Sequence, residues 1–153
     1  MDYSISIFLK IITNRFLLVP VGAMLAAQCC KIVYYSIRGH RFSLMDALFS
    51  SGRMPSSHSA FVCSLATVIG FNAGFDSALF AFASIFAFVT MYDAAGVRLQ
   101  AGRQAQLLNT IVERIKDKHS ITPIKLKEFI GHKPMEVYAG AVLGVIIGII
   151  FRG

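Results

Sequence analysis

Residues 78–92 read ALFAFASIFAFVTMY, a run without a charged side chain. Its apolar residues neither alternate nor keep to one stripe. A helix that is hydrophobic on all sides belongs in the core of a large protein or in a bilayer. The chain has 153 residues, of which 56% are hydrophobic and 15% charged. A soluble domain of this size needs more polar surface than that, so the composition points to a membrane protein. The expected fold is therefore all-α, an integral membrane bundle in a single domain over residues 1–153.

Working outward from that run gives about four membrane-grade segments. The first spans Phe16 to Ile37, with residues 1–14 ahead of it suited to a short interfacial helix. The second spans Ser59 to Phe75, the third Ser77 to Tyr92, and the fourth Val137 to Phe151. A straight crossing needs roughly 20 residues. The last three reach that length only by including residues of the polar motifs next to them, which places those motifs at a membrane interface. Gly140, Gly144 and Gly148 recur every four residues, a spacing that lets another helix approach closely. Between the third and fourth segments, Val97 to Ile115 repeats apolar residues at three- and four-residue steps. That pattern predicts an amphipathic surface helix. A second short helix is expected over Ile124 to Ile130, closed by Gly131.

Four crossings would place Lys31, Arg38, His58, Asp93 and His132 on one side. Of the 15 Lys and Arg, Lys10, Arg15 and Arg152 fall on the other side and 12 on the motif side. The excess of cations predicts that the motif side is cytoplasmic. The net charge of +7 fits anionic head groups, and no basic stripe interleaved with exposed aromatics argues for nucleic acid. Cys29, Cys30 and Cys63 sit in apolar stretches without metal-ligand spacing and read as packing residues. Lys10 and Arg15 interrupt the first apolar run, which does not read as a cleaved signal peptide.

Chemistry concentrates in three places. Pro55-Ser56-Ser57-His58 puts two hydroxyls, free backbone N–H groups and an imidazole at the start of a hydrophobic helix, a place to hold an anion and pass it a proton. Lys31 and Arg38, seven apart, project from one helix face. They read either as a phosphate clamp or as cations snorkelling at a helix end. His132 and Glu136, four apart, also share a face. The carboxylate can hold Nδ1–H and leave Nε2 as nucleophile or base, or the two can serve as a capping pair.

Lys31-x6-Arg38, Pro55-Ser56-Ser57-His58 and His132-x3-Glu136 together resemble the three-part signature of the type 2 phosphatidic acid phosphatase superfamily, which includes the vanadium haloperoxidases. That signature is K-x6-RP, PSGH and SR-x5-H-x3-D. The chain is closer still to a divergent bacterial and plant branch. It shares MPSSHSA, then MYDAAGVR-x2-AG-x-QA-x2-LN at Met91–Asn109, then GH-x-P-x-E/Q-V-x2-G at Gly131–Gly140. The resemblance implies His132 as the nucleophile that forms a phosphohistidine, Glu136 as its orienting acid and His58 as the general acid. It implies Lys31 and Arg38 as the phosphate clamp, assisted near Ser56 and Ser57, with no metal and no other cofactor. The implied setting is the bacterial inner membrane.

Departures accompany the match. Gly39, Ser57 and Glu136 replace proline, glycine and aspartate, and Leu126 stands where the signature has its last arginine. Arg98, or failing it Arg103, is expected to supply that charge, with Asp93 orienting Arg98 or Lys31. The superfamily's six core helices imply that a four-span bundle is reduced or completed by a second copy, a homo-oligomer. The expected activity is hydrolysis of a lipid or isoprenyl phosphate drawn from the bilayer, with no nucleic-acid partner. The other expectation is a membrane protein that binds, transports or senses phospholipid without turnover.

Overall fold

Hydrophobic runs and their caps set the helix limits. The structure, a computed structural model, describes residues 2–37, 54–116, 125, 126, 128 and 131–152. These form α1 (Asp2–Ile12), α2 (Arg15–Ile37), α3 (Ser57–Ala73), α4 (Ala78–Ala95), α5 (Val97–Lys116) and α6 (Pro134–Ile150), with no strand among the described residues. Ser56 caps α3 and Ser77 caps α4, each side-chain oxygen accepting an N–H of the first turn. α3 stops at Gly74, whose φ of 94° suits glycine. Pro134 opens α6, where its missing N–H costs nothing.

α3 is the centre of the bundle, packed against α2, α4 and α6. Its buried residues are mostly small, including Ser59, Ala60, Ser64, Ala66 and Gly70. α6 lies closest. A Cβ on Gly140 would overlap the Ser56 carbonyl, one on Gly144 the Ala60 backbone, and one on Gly148 the Thr67 side chain. The four-residue glycine series is thus the surface on which α6 meets α3.

The distribution of size is inverted relative to a soluble domain. The core is Ala23, Ala27, Ala60, Ala66, Val68, Ala83 and Ala87, while Phe82, Ile85, Phe88, Val142 and Ile150 are exposed. A large apolar surface of this kind is stable only against an apolar solvent. Arg15–Ile37 and the nearly continuous stretch Ala78–Ile115 are long and apolar enough to cross a membrane, and Pro134–Ile150 is apolar but shorter.

α5 begins after a break at Gly96 and is amphipathic, with Val97, Leu108, Ile111 and Ile115 exposed. The expected helix over Ile124–Ile130 is not supported at its described positions. Lys125, Leu126 and Glu128 are non-helical, and the rest of that segment lies outside the described residues. The reason is a bracket made by Asn109. Its Oδ1 accepts the Leu126 N–H, and its Nδ2 donates to the Leu126 carbonyl and to Glu128 Oε1. The cysteines are free. Cys63 packs in the core, whereas Cys29 and Cys30 are exposed on α2.

Overpacking the glycine face should destabilise the bundle. Gly144→Leu is expected to cost about 1–3 kcal/mol and lower the thermal midpoint in detergent. Val142→Leu, two residues away on the exposed face, should stay within about 0.5 kcal/mol of wild type.

Candidate functional site

Two backbone hydrogen bonds draw the sequence motifs together. Ser56 N–H donates to the Glu136 carbonyl at 2.8 Å, joining the Pro-Ser-Ser-His turn to the head of α6. His132 N–H donates to the Ala94 carbonyl at 3.0 Å, joining the turn before α6 to the end of α4. Gly131 reinforces the second contact, because a Cβ there would overlap the Leu99 backbone and the Arg98 carbonyl carbon. Arg98 therefore starts from the turn that packs on Gly131-His132.

His132 is buried, and its Nδ1 lies 3.1 Å from Glu136 Oε2. The same carboxylate oxygen accepts the Lys133 N–H at 3.1 Å. Burial pushes the Glu136 carboxyl up, but the hydrogen bonds from His132 and the Lys133 N–H outweigh it and leave its pKa below the usual carboxylate value. An ionised carboxylate can only accept, so Nδ1 carries the proton of this contact.

His58 stands in the first turn of α3, ahead of the apolar run, and is exposed at the surface. Its pKa is lowered by partial burial first, then by His132, Arg98 and Lys31. These three groups act on one imidazole although they come from three separate stretches of chain. Lys31 is among the largest fully buried side chains described, at 1% exposure. It does not snorkel to the surface. A cation so enclosed is stable only with electrostatic partners.

Ser56 is fully buried and its groups are committed. Its N–H goes to Glu136, and its hydroxyl accepts from both the Ser59 N–H at 3.3 Å and the Ser59 hydroxyl at 3.0 Å. It shapes the turn at the head of α3. The first-turn N–H groups of Ser57 and His58, which have no intrahelical acceptor, are the donors this helix start can offer an anion.

Arg98 Nε pairs with Asp93 Oδ2 at 2.6 Å across the Gly96 turn, and both side chains are partly exposed. Asp93 thus holds Arg98 rather than Lys31. Arg103 lies five residues on and roughly 140° around α5, away from Arg98. Leu126, at the position of the missing arginine, is held by Asn109 with its own side chain 43% exposed. Arg38 lies outside the described residues. Among the described residues, no group of three or more His, Cys, Asp or Glu converges that could hold a metal ion.

Two features of this end were not read from sequence. Asn109 was seen only as part of a motif, yet it continues the Ala101–Ala105 stripe onto the buried side of an amphipathic helix. A polar residue there is a signal in itself. The use of the Glu136 carbonyl by Ser56 has no sequence signal, because it depends on how closely α6 packs.

The opposite end carries a separate polar knot. The Arg15 guanidinium donates to Asn72 Oδ1, and Asn72 Nδ2 donates to the Arg152 carbonyl. The three cations expected away from the motif side thus include two that meet at the far end of the bundle.

The model of the Divergent PAP2 family matches residues 12–147. The chain is also similar to the uncharacterized membrane protein YuiD of Bacillus subtilis (strain 168). The two are 36% identical over 159 residues, which covers 93% of this chain and 96% of that protein. No solved structure matches significantly. With the family model covering most of its length, and its exposed surface apolar, this chain is a membrane-associated helical protein that belongs to the Divergent PAP2 family.

Proposed function

We propose that the chain is a metal-independent membrane phosphatase that hydrolyses a lipid or isoprenyl phosphate, mono- or diphosphate, through a phosphohistidine. The observation that carries this reading is the buried His132–Glu136 pair beside His58, an imidazole on which His132, Arg98 and Lys31 all act. Nε2 of His132 attacks phosphorus, and the bond to the leaving alkoxide oxygen breaks. His58 gives that oxygen its proton. Water then attacks the phosphohistidine, neutral His58 takes a proton from the water, and inorganic phosphate leaves. Lys31, Arg98, Arg38 and the N–H groups of Ser57 and His58 stabilise the transferring phosphoryl group. Asp93 positions Arg98, which stands in for the arginine absent at Leu126.

In this reading residues 16–37, 59–75, 77–92 and 137–151 cross the bilayer, with His58, His132 and Glu136 just outside the spans. α1 and α5 lie at its two faces, with Arg103 at the edge of α5 facing head groups. The motif end faces the cytoplasm, on the cation excess of that side, and the membrane is the bacterial inner membrane. A phosphate site at the head of apolar helices suits a substrate whose tail stays in the membrane.

One observation favours a second reading, a protein that binds, transports or senses phospholipid without turnover. Leu126 is locked in place by Asn109, so its segment supplies no arginine. The decisive experiment is vanadate-sensitive phosphate release from lipid phosphates by purified full-length protein in mixed micelles. Binding without release above the His132→Ala background would leave the second reading standing.

His132→Ala is expected to reduce release to background. His58→Ala should lower it by about 10²–10⁴ and Arg98→Gln by about 10²–10³, measured as kcat/KM. The pH profile follows from His58. A general acid works protonated, and burial first, then His132, Arg98 and Lys31, lower the His58 pKa from its usual 6.5. The alkaline limb of kcat/KM should therefore fall below pH 6.5. Arg98→Gln, which removes one of those charges, should move the limb to higher pH.

A further inference from the structure

We infer that the apolar groove between α4 and α6 seats the hydrocarbon tail of the phosphorylated lipid, an inference that rests on the phosphate site proposed above. The groove has a volume of about 420 Å³ and is lined by Phe88, Tyr92 and Ala95 on α4 and by Pro134, Tyr138 and Ala141 on α6. Its head is continuous with the site. Ala95 follows Ala94, whose carbonyl accepts the His132 N–H, and Pro134 is two residues after His132. From there the groove runs along both helices for seven residues, about 10 Å at 1.5 Å per residue. Ala141 makes a shallow floor and, like Met91, packs against the buried Val62–Cys63–Ala87 cluster. Phe88, Tyr92 and Tyr138 form the rims and are 65–67% exposed. Tyrosines suit the level where chain meets head group.

A second groove, of about 410 Å³, lies between α2 and α6 and is lined by Leu18, Gly22, Ile147 and Phe151. Phe151 adjoins Arg152, which bonds Asn72 at the end of the bundle remote from His132. A lipid there would hold its head group away from the cation cluster. The two grooves differ in connection rather than in size, and connection selects the α4–α6 groove.

The test uses the full-length protein in nanodiscs with phosphatidic acid carrying a diazirine in its acyl chain, followed by mass-spectrometric mapping. Crosslinks are expected on Phe88, Tyr92 and Tyr138. They should be suppressed by excess unlabelled phosphatidic acid, and phosphatidylcholine with the same tail should yield at least fivefold fewer. Crosslinks centred on Leu18 and Ile147, or equal labelling by both lipids, would overturn the inference. Labelling does not require turnover. Groove crosslinks without phosphate release would preserve the tail site and discard the hydrolase reading, whereas release with crosslinks elsewhere would do the reverse. Ala141→Phe, which raises the groove floor, should lower the ratio of kcat/KM for dioleoyl over dibutyryl phosphatidic acid at least tenfold. An unchanged ratio in folded protein would also count against the groove.

Discussion

The hydrogen bond from Ser56 N–H to the Glu136 carbonyl is the contact on which the rest of the motif end depends. It forms only because Gly140 and Gly144 let the α6 backbone meet the α3 backbone. At the border of a bilayer the alternative acceptors for such an N–H are few, so the bond fixes α6 against α3 more firmly than its modest strength in water would imply. Once that register is set, Glu136 faces His132 and the first turn of α3 faces the same space. The bond from His132 to Ala94 then brings in the end of α4, and with it the turn that carries Asp93 and Arg98. Three distant stretches of chain meet through main-chain contacts.

The electrostatics follow from that convergence. Burial first, then His132, Arg98 and Lys31, oppose a proton on His58, while the Glu136 carboxylate is held by His132 and the Lys133 N–H and the Asp93 carboxylate by Arg98. Positive charge thus gathers around His58, and in the proposed phosphatase a bound phosphate would raise the affinity of that imidazole for a proton. Asp93 holds the Nε side of Arg98, and both side chains stay partly exposed.

Much of this was legible in the chain, for identifiable reasons. Apolar runs bounded by Ser56, Ser77 and Pro134 gave helices whose limits fall within a few residues of expectation. A four-residue spacing is enough to pair His132 with Glu136, since it depends on one helix turn. The glycine series announced a close helix contact, though not with which helix. Other features depend on tertiary geometry. The Asp93–Arg98 pair requires the break at Gly96. The commitment of Ser56 to capping and to Glu136 leaves Ser57 and His58 as the offered N–H groups, a distinction no spacing rule contains. Lys31 looked equally like a snorkelling cation, and only its enclosure among packed helices separates the two readings. The segment around Leu126 had the periodicity of a helix but yields its main chain to Asn109.

The inversion of side-chain size, small within and large without, has a consequence for how this chain tolerates change. In a soluble domain the divide between permitted and harmful substitutions is drawn by polarity. Here both sides of the divide are apolar, and the variable that matters is volume. Drift should run freely among Leu, Ile, Phe and Val on the outer faces of α4 and α6, while the α3 interface admits little beyond Gly, Ala and Ser. Relatives of this fold would then keep a recognisable skeleton of small residues beneath an outer layer that retains hydrophobicity but little sequence memory.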